Sequence, residues 1–206
     1  MTDYQKQVAQ ALLDIEAVKL QPQAPFTWAS GIKSPIYTDN RKIISFPKER
    51  EIVIAGLTAL IKTQYPDVQA IGGVATAGIP HAAWVAQAMN LPLIYVRAKP
   101  KDHGTGKQIE GALTAQQKVV LIDDLISTGG SVLGAVKATR AEAGNVIGVV
   151  SIFSYELPAA VKNFAAAQTS FASLTNFSSL IQVAQQSGKI TPAELQMIQE
   201  WHQTLA

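Results

Sequence analysis

The sequence predicts an α/β fold: a parallel-sheet core with helices on both faces, and a small hood folded from the two chain termini. Three observations carry that expectation. The runs Val119–Ile122 and Val146–Phe153 are nearly all apolar, without alternation, as strands buried on both faces of a parallel sheet must be. Two segments pass from such a run through a glycine-bearing turn into a helix-like stretch, at Val74–Pro80 and Ile122–Val132. Junctions of this kind gather at the carboxyl ends of parallel strands, where open α/β sheets bind ligands. No repeat or low-complexity linker divides the 206 residues, a length that one domain with a full core accommodates. The expectation is a single domain over 1–206, with a core at about 46–165 and a hood from about 1–45 and 166–206.

Composition bounds the function. Hydrophobic residues make up 48% and charged ones 16%, which excludes a disordered chain. The formal net charge of +2 is too small to argue for nucleic acid as a partner. There is no cysteine, so disulfides, zinc–thiolate sites and thiol nucleophiles are out. No apolar run reaches membrane-spanning length, and Met1–Lys6 begins an amphipathic pattern without a signal-peptide core, so a cytoplasmic protein with no membrane partner is expected.

Along the chain, Val8, Ala11, Leu12, Ile15 and Val18 fall near helical spacing and predict a helix over 4–19. Gln21–Pro25 breaks it. Phe26–Arg41 reads as two short strands around a turn at Ser30–Pro35. It is more polar than a core requires, so it is either an ordinary exposed hairpin or a lid over a polar planar ligand. Pro47 opens a helix that ends near Tyr65-Pro66, and Val68–Val74 is a strand. A helix is expected from about His81 to Met89, with His81 on its surface or in its packing, and then a strand at Leu91–Val96. Arg97–Lys107 sets Arg97, Lys99, Lys101, His103 and Lys107 among glycines and a proline. Loops this long without structure are uncommon in compact domains unless functional or disordered. A mobile cationic loop suits a lid that closes on a diphosphate and neutralises it. Beyond the central motif, the helix at 130–143 is stopped by Ala143-Gly144-Asn145, and Val146–Phe153 is a strand. A helix at 157–167, a strand at Phe171–Leu174 and a helical turn or two at Ser178–Gln186 follow. Thr191–Glu194 forms a capping box with Pro192 at the first helical position, opening a packing helix that carries Leu195, Ile198, Trp201 and Leu205. The parallel sheet is expected from about residues 66–155.

The stretch with the most chemistry is Val119–Ser131. Its apolar run meets Asp123 and Asp124 at the strand tip. Leu125 and Ile126 lead into Ser127, Thr128, Gly129, Gly130 and Ser131, and a helix follows. The glycines allow positive φ and close approach of a ligand. Amides at a helix start, with hydroxyl donors beside them, suit a phosphate. The GxxxxGK[ST] pattern of a nucleotide P-loop is absent. Acids placed before the phosphate turn would face hydroxyls or a divalent cation, so a phosphorylated sugar fits the whole run. A lone acid pair would fit a strand end, a turn cap or a receiver-like metal site equally well; the full run is far more specific.

Three segments, the Phe26–Arg41 hairpin, the Lys99–Gly104 loop and the Asp123–Ser131 motif, together resemble the orotate phosphoribosyltransferase family over essentially the whole chain. The resemblance implies the type I phosphoribosyltransferase fold. It also implies transfer of the phosphoribosyl group from phosphoribosyl diphosphate (PRPP) to orotate with Mg²⁺, in a homodimer whose mobile loop reaches the partner's site. By position, it implies that Asp123 and Asp124 hold the ribose hydroxyls, directly or through Mg²⁺-bound water. Ser127–Ser131 would cradle the 5′-phosphate, with Leu125 and Ile126 part of the PRPP-binding run and Ser127 also near orotate. Arg97, Lys101 and His103, with Lys99 a weaker candidate, would bind the diphosphate, and Lys101 or His103 would protonate it. Ser30, Lys33, Tyr37 and Arg41 would cover the base. The sequence departs from the family at Ala29 and Ala77, where lysines are common, and at Ser154-Tyr155, where an Asp-Arg pair usually meets the orotate carboxylate; Arg41 or Lys33 is the expected replacement. The alternatives are a purine-salvage phosphoribosyltransferase and a PRPP-sensing regulator that binds nucleic acid.

Overall fold

The computed structural model describes residues 3–27, 31, 33–99 and 107–205. In chain order the elements are α1 (Asp3–Asp14), β1 (Val18–Leu20), β2 (Phe26–Thr27), β3 (Lys33–Ser34), β4 (Ile36–Thr38), a 3-10 helix (Asn40–Ser45), α2 (Pro47–Gln64), β5 (Ala70–Val74), α3 (Gly78–Met89) and β6 (Leu93–Val96). Then come β7 (Ile109–Glu110), β8 (Lys118–Ile126), α4 (Gly130–Ala141), β9 (Asn145–Ser154), α5 (Pro158–Ala166), β10 (Phe171–Asn176), α6 (Phe177–Gln186) and α7 (Pro192–Gln203). Among these, no helix is long and apolar enough to cross a membrane.

A six-stranded sheet in the order β10-β9-β8-β5-β6-β7 forms the centre. All its pairs are parallel except the edge pair of β6 with β7. The uninterrupted apolar runs of β5, β8 and β9 are buried because helices cover both faces. Val53, Leu57 and Ile61 of α2 and Ala82, Val85 and Ala86 of α3 pack on one face. Val132, Ala135 and Val136 of α4, with Phe164 of α5, pack on the other.

Tertiary pairing redraws several expected boundaries. The first helix ends at Asp14 rather than 19: Glu16 takes φ +53°, and Val18–Leu20 is captured as a strand by β4, with Val18 opposite Thr38. The second half of the hairpin accordingly divides, β3 pairing with β2 and β4 with β1. The strand at 171 runs on to Asn176 and joins the main sheet beside β9, so the sheet extends past residue 155 and past the expected core boundary at 165. Residues 177–186 make a full helix, and α3 starts at Gly78 rather than His81. Helix α1 packs against α2, α6 and β10, while α7 packs on α6. The capping box at Thr191 and Glu194 forms as expected.

Candidate active site

The acid pair lies inside β8, not at its tip. Strand β9 is long enough to pair with Asp123, Leu125 and Ile126, so the ladder continues to Ile126 on that side. On the other side, pairing with β5 stops at Gly73 opposite Ile122. The start of α3 fills the space that β5 leaves. Its first residue, Gly78, sits so close that a Cβ there would lie 2.2 Å from Ile122 O and 3.3 Å from Asp123 Cα. Only a glycine lets the Ala75–Ala77 turn sit directly against the acids.

After Ile126 the chain turns through Ser127–Gly129 into α4. Gly129 has φ +80°, and a Cβ there would meet Phe164 at 2.6 Å, so two independent constraints require glycine at this turn. Asn163 Nδ2 donates to Thr128 O at 2.9 Å and steadies the turn from α5. No side-chain hydrogen bond caps α4. The amides of its first turn are therefore the donors that a helix start offers to an anion. Thr128, Gly130 and Ser131 are exposed and Ser127 is half-buried.

Burial pushes the Asp123 carboxyl up to about 7, and the neighbouring Asp124 charge adds to the rise. Burial also raises Asp124. Burial disfavours charge on both carboxyls, so a cation or hydrogen bonds from a diol would favour their ionised forms. Asp124 N–H donates to Asp123 Oδ1 at 2.9 Å. Among the described residues no group of three or more His, Asp or Glu could hold a metal ion.

Arg97 leaves the end of β6, pairs with Glu110 at 3.3 Å, and lines a cavity of about 270 Å³ with Ala75, Gly130 and Ser131. Arg97 and the start of α4 are thus brought together. Lys99 is exposed at the edge of the described chain. Lys101 and His103 lie outside the described residues, as do Ala29 and Ser30.

The N-terminal segment meets the acids through residues 38–41. Asn40 Nδ2 donates to Asp124 O at 2.8 Å. Arg41 Nε pairs with Asp39 Oδ1 at 2.6 Å. Asp39 holds the Arg41 guanidinium charged, Asp124 adding to its field, and Arg41 holds Asp39 below the usual carboxylate range. Arg41 stays largely exposed and so remains open to a ligand. Lys33 is exposed and its ammonium donates to Thr27 Oγ1 at 2.7 Å, within its own hairpin rather than to the acids. Tyr37 is exposed, its ring 5.6 Å from that of Phe26. Tyr155 does not face the hood surface: it is buried, and its hydroxyl donates to Thr38 Oγ1 at 3.0 Å.

Sequence reasoning missed Asn40, which carried no signal beyond adjacency to Arg41. It saw Gly78 as a junction glycine but not the approach that requires it. His81 is packed rather than on the surface. It is fully buried, neither ring nitrogen has a partner among the described residues, and burial holds its pKa down to about 4.

The chain is similar to known proteins. The chain matches the phosphoribosyl transferase domain family over residues 48–168. It is 58% identical to the orotate phosphoribosyltransferase of Lactiplantibacillus plantarum, over 98% of this chain and 96% of that one. It is 54% identical to that of Enterococcus faecalis, over 98% and 96%. Among solved structures, it resembles the orotate phosphoribosyltransferase of Aeropyrum pernix with a TM-score of 0.77 and 26% identity, covering 89% of this chain and 99% of that one.

Proposed function

The chain belongs to the orotate phosphoribosyltransferase family, and from that premise we propose which of its residues carry the reaction. An orotate phosphoribosyltransferase joins orotate to the phosphoribosyl group of PRPP, giving orotidine 5′-monophosphate and diphosphate in pyrimidine biosynthesis. Membership places the chain with the orotate enzymes rather than with the purine-salvage or regulator alternatives.

In our reading Asp123 and Asp124 hold the ribose hydroxyls of PRPP, and the Ser127–Ser131 turn holds its 5′-phosphate. The observation that carries this is the acid pair, Asp123 buried with its carboxyl near 7 and Asp124 half-buried, six residues before a glycine-turned helix start that no side-chain hydrogen bond caps. Arg97, Lys99, Lys101 and His103 take the diphosphate; the shared cavity of Arg97 and Ser131 supports Arg97. Orotate lies under the hood near Ser127. Arg41, charged and open beside Asp124, binds its carboxylate in place of the arginine that Tyr155 displaces. Lys33 is the weaker candidate.

The bond between C1 of ribose and the diphosphate oxygen breaks first, leaving an oxocarbenium-like centre. The cationic side chains stabilise the departing charge, and Lys101 or His103 gives it a proton. An orotate nitrogen attacks C1 from the opposite face. No covalent nucleophile is needed, only placement and electrostatics. The raised pair of hard oxygen donors fits Mg²⁺. Two carboxylates supply only part of its shell, so they would hold it through water with PRPP oxygens completing it. When bound, the ion supplies charge neutralisation at the diphosphate.

We also propose a homodimer that shares the 97–107 loop. A groove of about 730 Å³ along α2 and α3, where Arg50 lies 4.5 Å over the Trp84 ring, supports it as a surface that a second copy can cover.

Replacing both acids, Asp123→Asn with Asp124→Asn, is expected to lower nucleotide formation by about a hundredfold or more while the circular dichroism spectrum stays folded. Turnover near wild type would remove the acids from the site.

A further inference from the structure

Tyr155 joins the two halves of the site. Its backbone N–H donates to Ile126 O at 3.0 Å, at the last residue of β8 before the phosphate turn. Its hydroxyl donates to Thr38 Oγ1 at 3.0 Å, in the hood strand β4. Its carbonyl accepts from His202 Nε2 at 2.6 Å, in α7, and the His202 ring stacks on Phe177 with centroids 4.0 Å apart. The Tyr155 ring itself is buried edge-on to Phe153 at 5.2 Å. Three elements distant in sequence therefore converge on one residue.

The consequence is geometric. Thr38 precedes Asp39, and Asp39 grips Arg41. The segment that carries Arg41 is held on one side by the β1 ladder and by Asp39 N–H on Ala17 O at 2.7 Å, and Tyr155 ties it on the other to the strand end that leads into the Ser127–Gly129 turn. Asn40 adds a second tie, to Asp124 O at 2.8 Å, beside the acids. Burial keeps the Tyr155 hydroxyl protonated, its pKa pushed up to about 12, so it donates throughout the working pH range. A link between two buried or half-buried groups is costly to break, because each end is then left without a partner.

We propose that Tyr155 is a positioning residue for orotate: it ties Thr38 to the Ile126–Ser127 junction and so sets the Asp39–Arg41 pair above the ribose site, touching neither substrate. This rests on the reading that Arg41 and the hood cover orotate. The phosphate turn keeps its own supports, Gly129 and Asn163, so PRPP binding is insulated from loss of the hydroxyl.

The test compares Tyr155→Phe, Thr38→Val, the double variant, Thr38→Ser and Arg41→Ala. Each is read for orotate KM, PRPP KM, kcat and melting temperature. Tyr155→Phe and Thr38→Val should each raise the orotate KM about fivefold, the effect of one lost hydrogen bond. PRPP KM and kcat should stay within about twofold, and the double variant should be no worse than the worse single, because both remove one contact. Thr38→Ser keeps the oxygen and should restore wild-type behaviour. Three outcomes overturn the proposal: equal rises in both KM values, additive losses in the double variant, or a lowered melting temperature with unchanged KM. An orotate KM unmoved by Arg41→Ala sinks the reading of the hood and takes the Tyr155 proposal with it. A rise for Arg41→Ala with Tyr155→Phe silent removes Tyr155 alone.

Discussion

Substituting Gly78 by alanine tests the packing that sets the site. The added methyl would sit 2.2 Å from Ile122 O, whereas a carbon and a carbonyl oxygen in close contact stand about 3.3 Å apart. Something must move by about 1 Å. The carbonyl belongs to the central strand, laddered to β5 at Gly73 and to β9 at Val150, so the first turn of α3 and the Ala75–Ala77 turn yield instead. Forcing a methyl into such packing costs about 1–3 kcal/mol. For a chain of this size that lowers the melting temperature by about 3–10 °C. Displacing the turn from Asp123 by about 1 Å should lower kcat/KM for PRPP about a hundredfold. Thermal melts and steady-state formation of orotidine 5′-monophosphate measure both. The internal control is Gly134→Ala in α4, where a Cβ meets nothing within 4 Å; relief of glycine's backbone entropy should stabilise it by about 0.5–1 kcal/mol. The two substitutions are chemically identical and should have opposite signs. A Gly78→Ala protein that melts within a degree of wild type and turns over normally would refute the reasoning.

Other outcomes follow from the same site. The folded-state pKa of Asp123 is raised above its unfolded value of 3.8. The stability linked to its protonation is therefore fully present below 3.8 and lost as pH rises through about 7. Melts of the ligand-free protein from pH 4 to 8 should show that decline and Asp123→Asn should flatten it; identical profiles would count against a raised carboxyl. If, as proposed, a homodimer shares the loop, mixing inactive Asp124→Asn protomers with inactive Lys101→Ala protomers should recover up to about a quarter of wild-type activity, because mixed dimers would regain one intact site. No recovery, under conditions where subunits exchange, would confine the loop to its own protomer.

The local grammar of the chain was legible where one segment alone decides the outcome. The capping box at Thr191, the proline start of α2, the stop near Tyr65 and the buried strands β5, β8 and β9 all follow from neighbouring residues. So does the turn at Ser127–Gly129 into α4, because its glycines and hydroxyls are contiguous. Boundaries set by a remote partner were not legible. Val18 has helical spacing yet forms a strand because β4 pairs with it. Asp123 and Asp124 read as the end of a strand, yet β9 carries the ladder past them.

The sequence by itself determined that this chain would build a parallel α/β core and set two acids before a glycine- and hydroxyl-rich turn into a helix. Apolar periodicity and glycine placement act within a few residues, and no fold needs to be known to read them. Tertiary structure alone decided what surrounds those acids. Gly78 against Ile122, Asn40 on Asp124 and Tyr155 between Ile126, Thr38 and His202 join residues that lie tens of positions apart or more. Such contacts depend on how separate elements pack, and burial, which raises the acid pair, is a property of that packing rather than of the residues themselves.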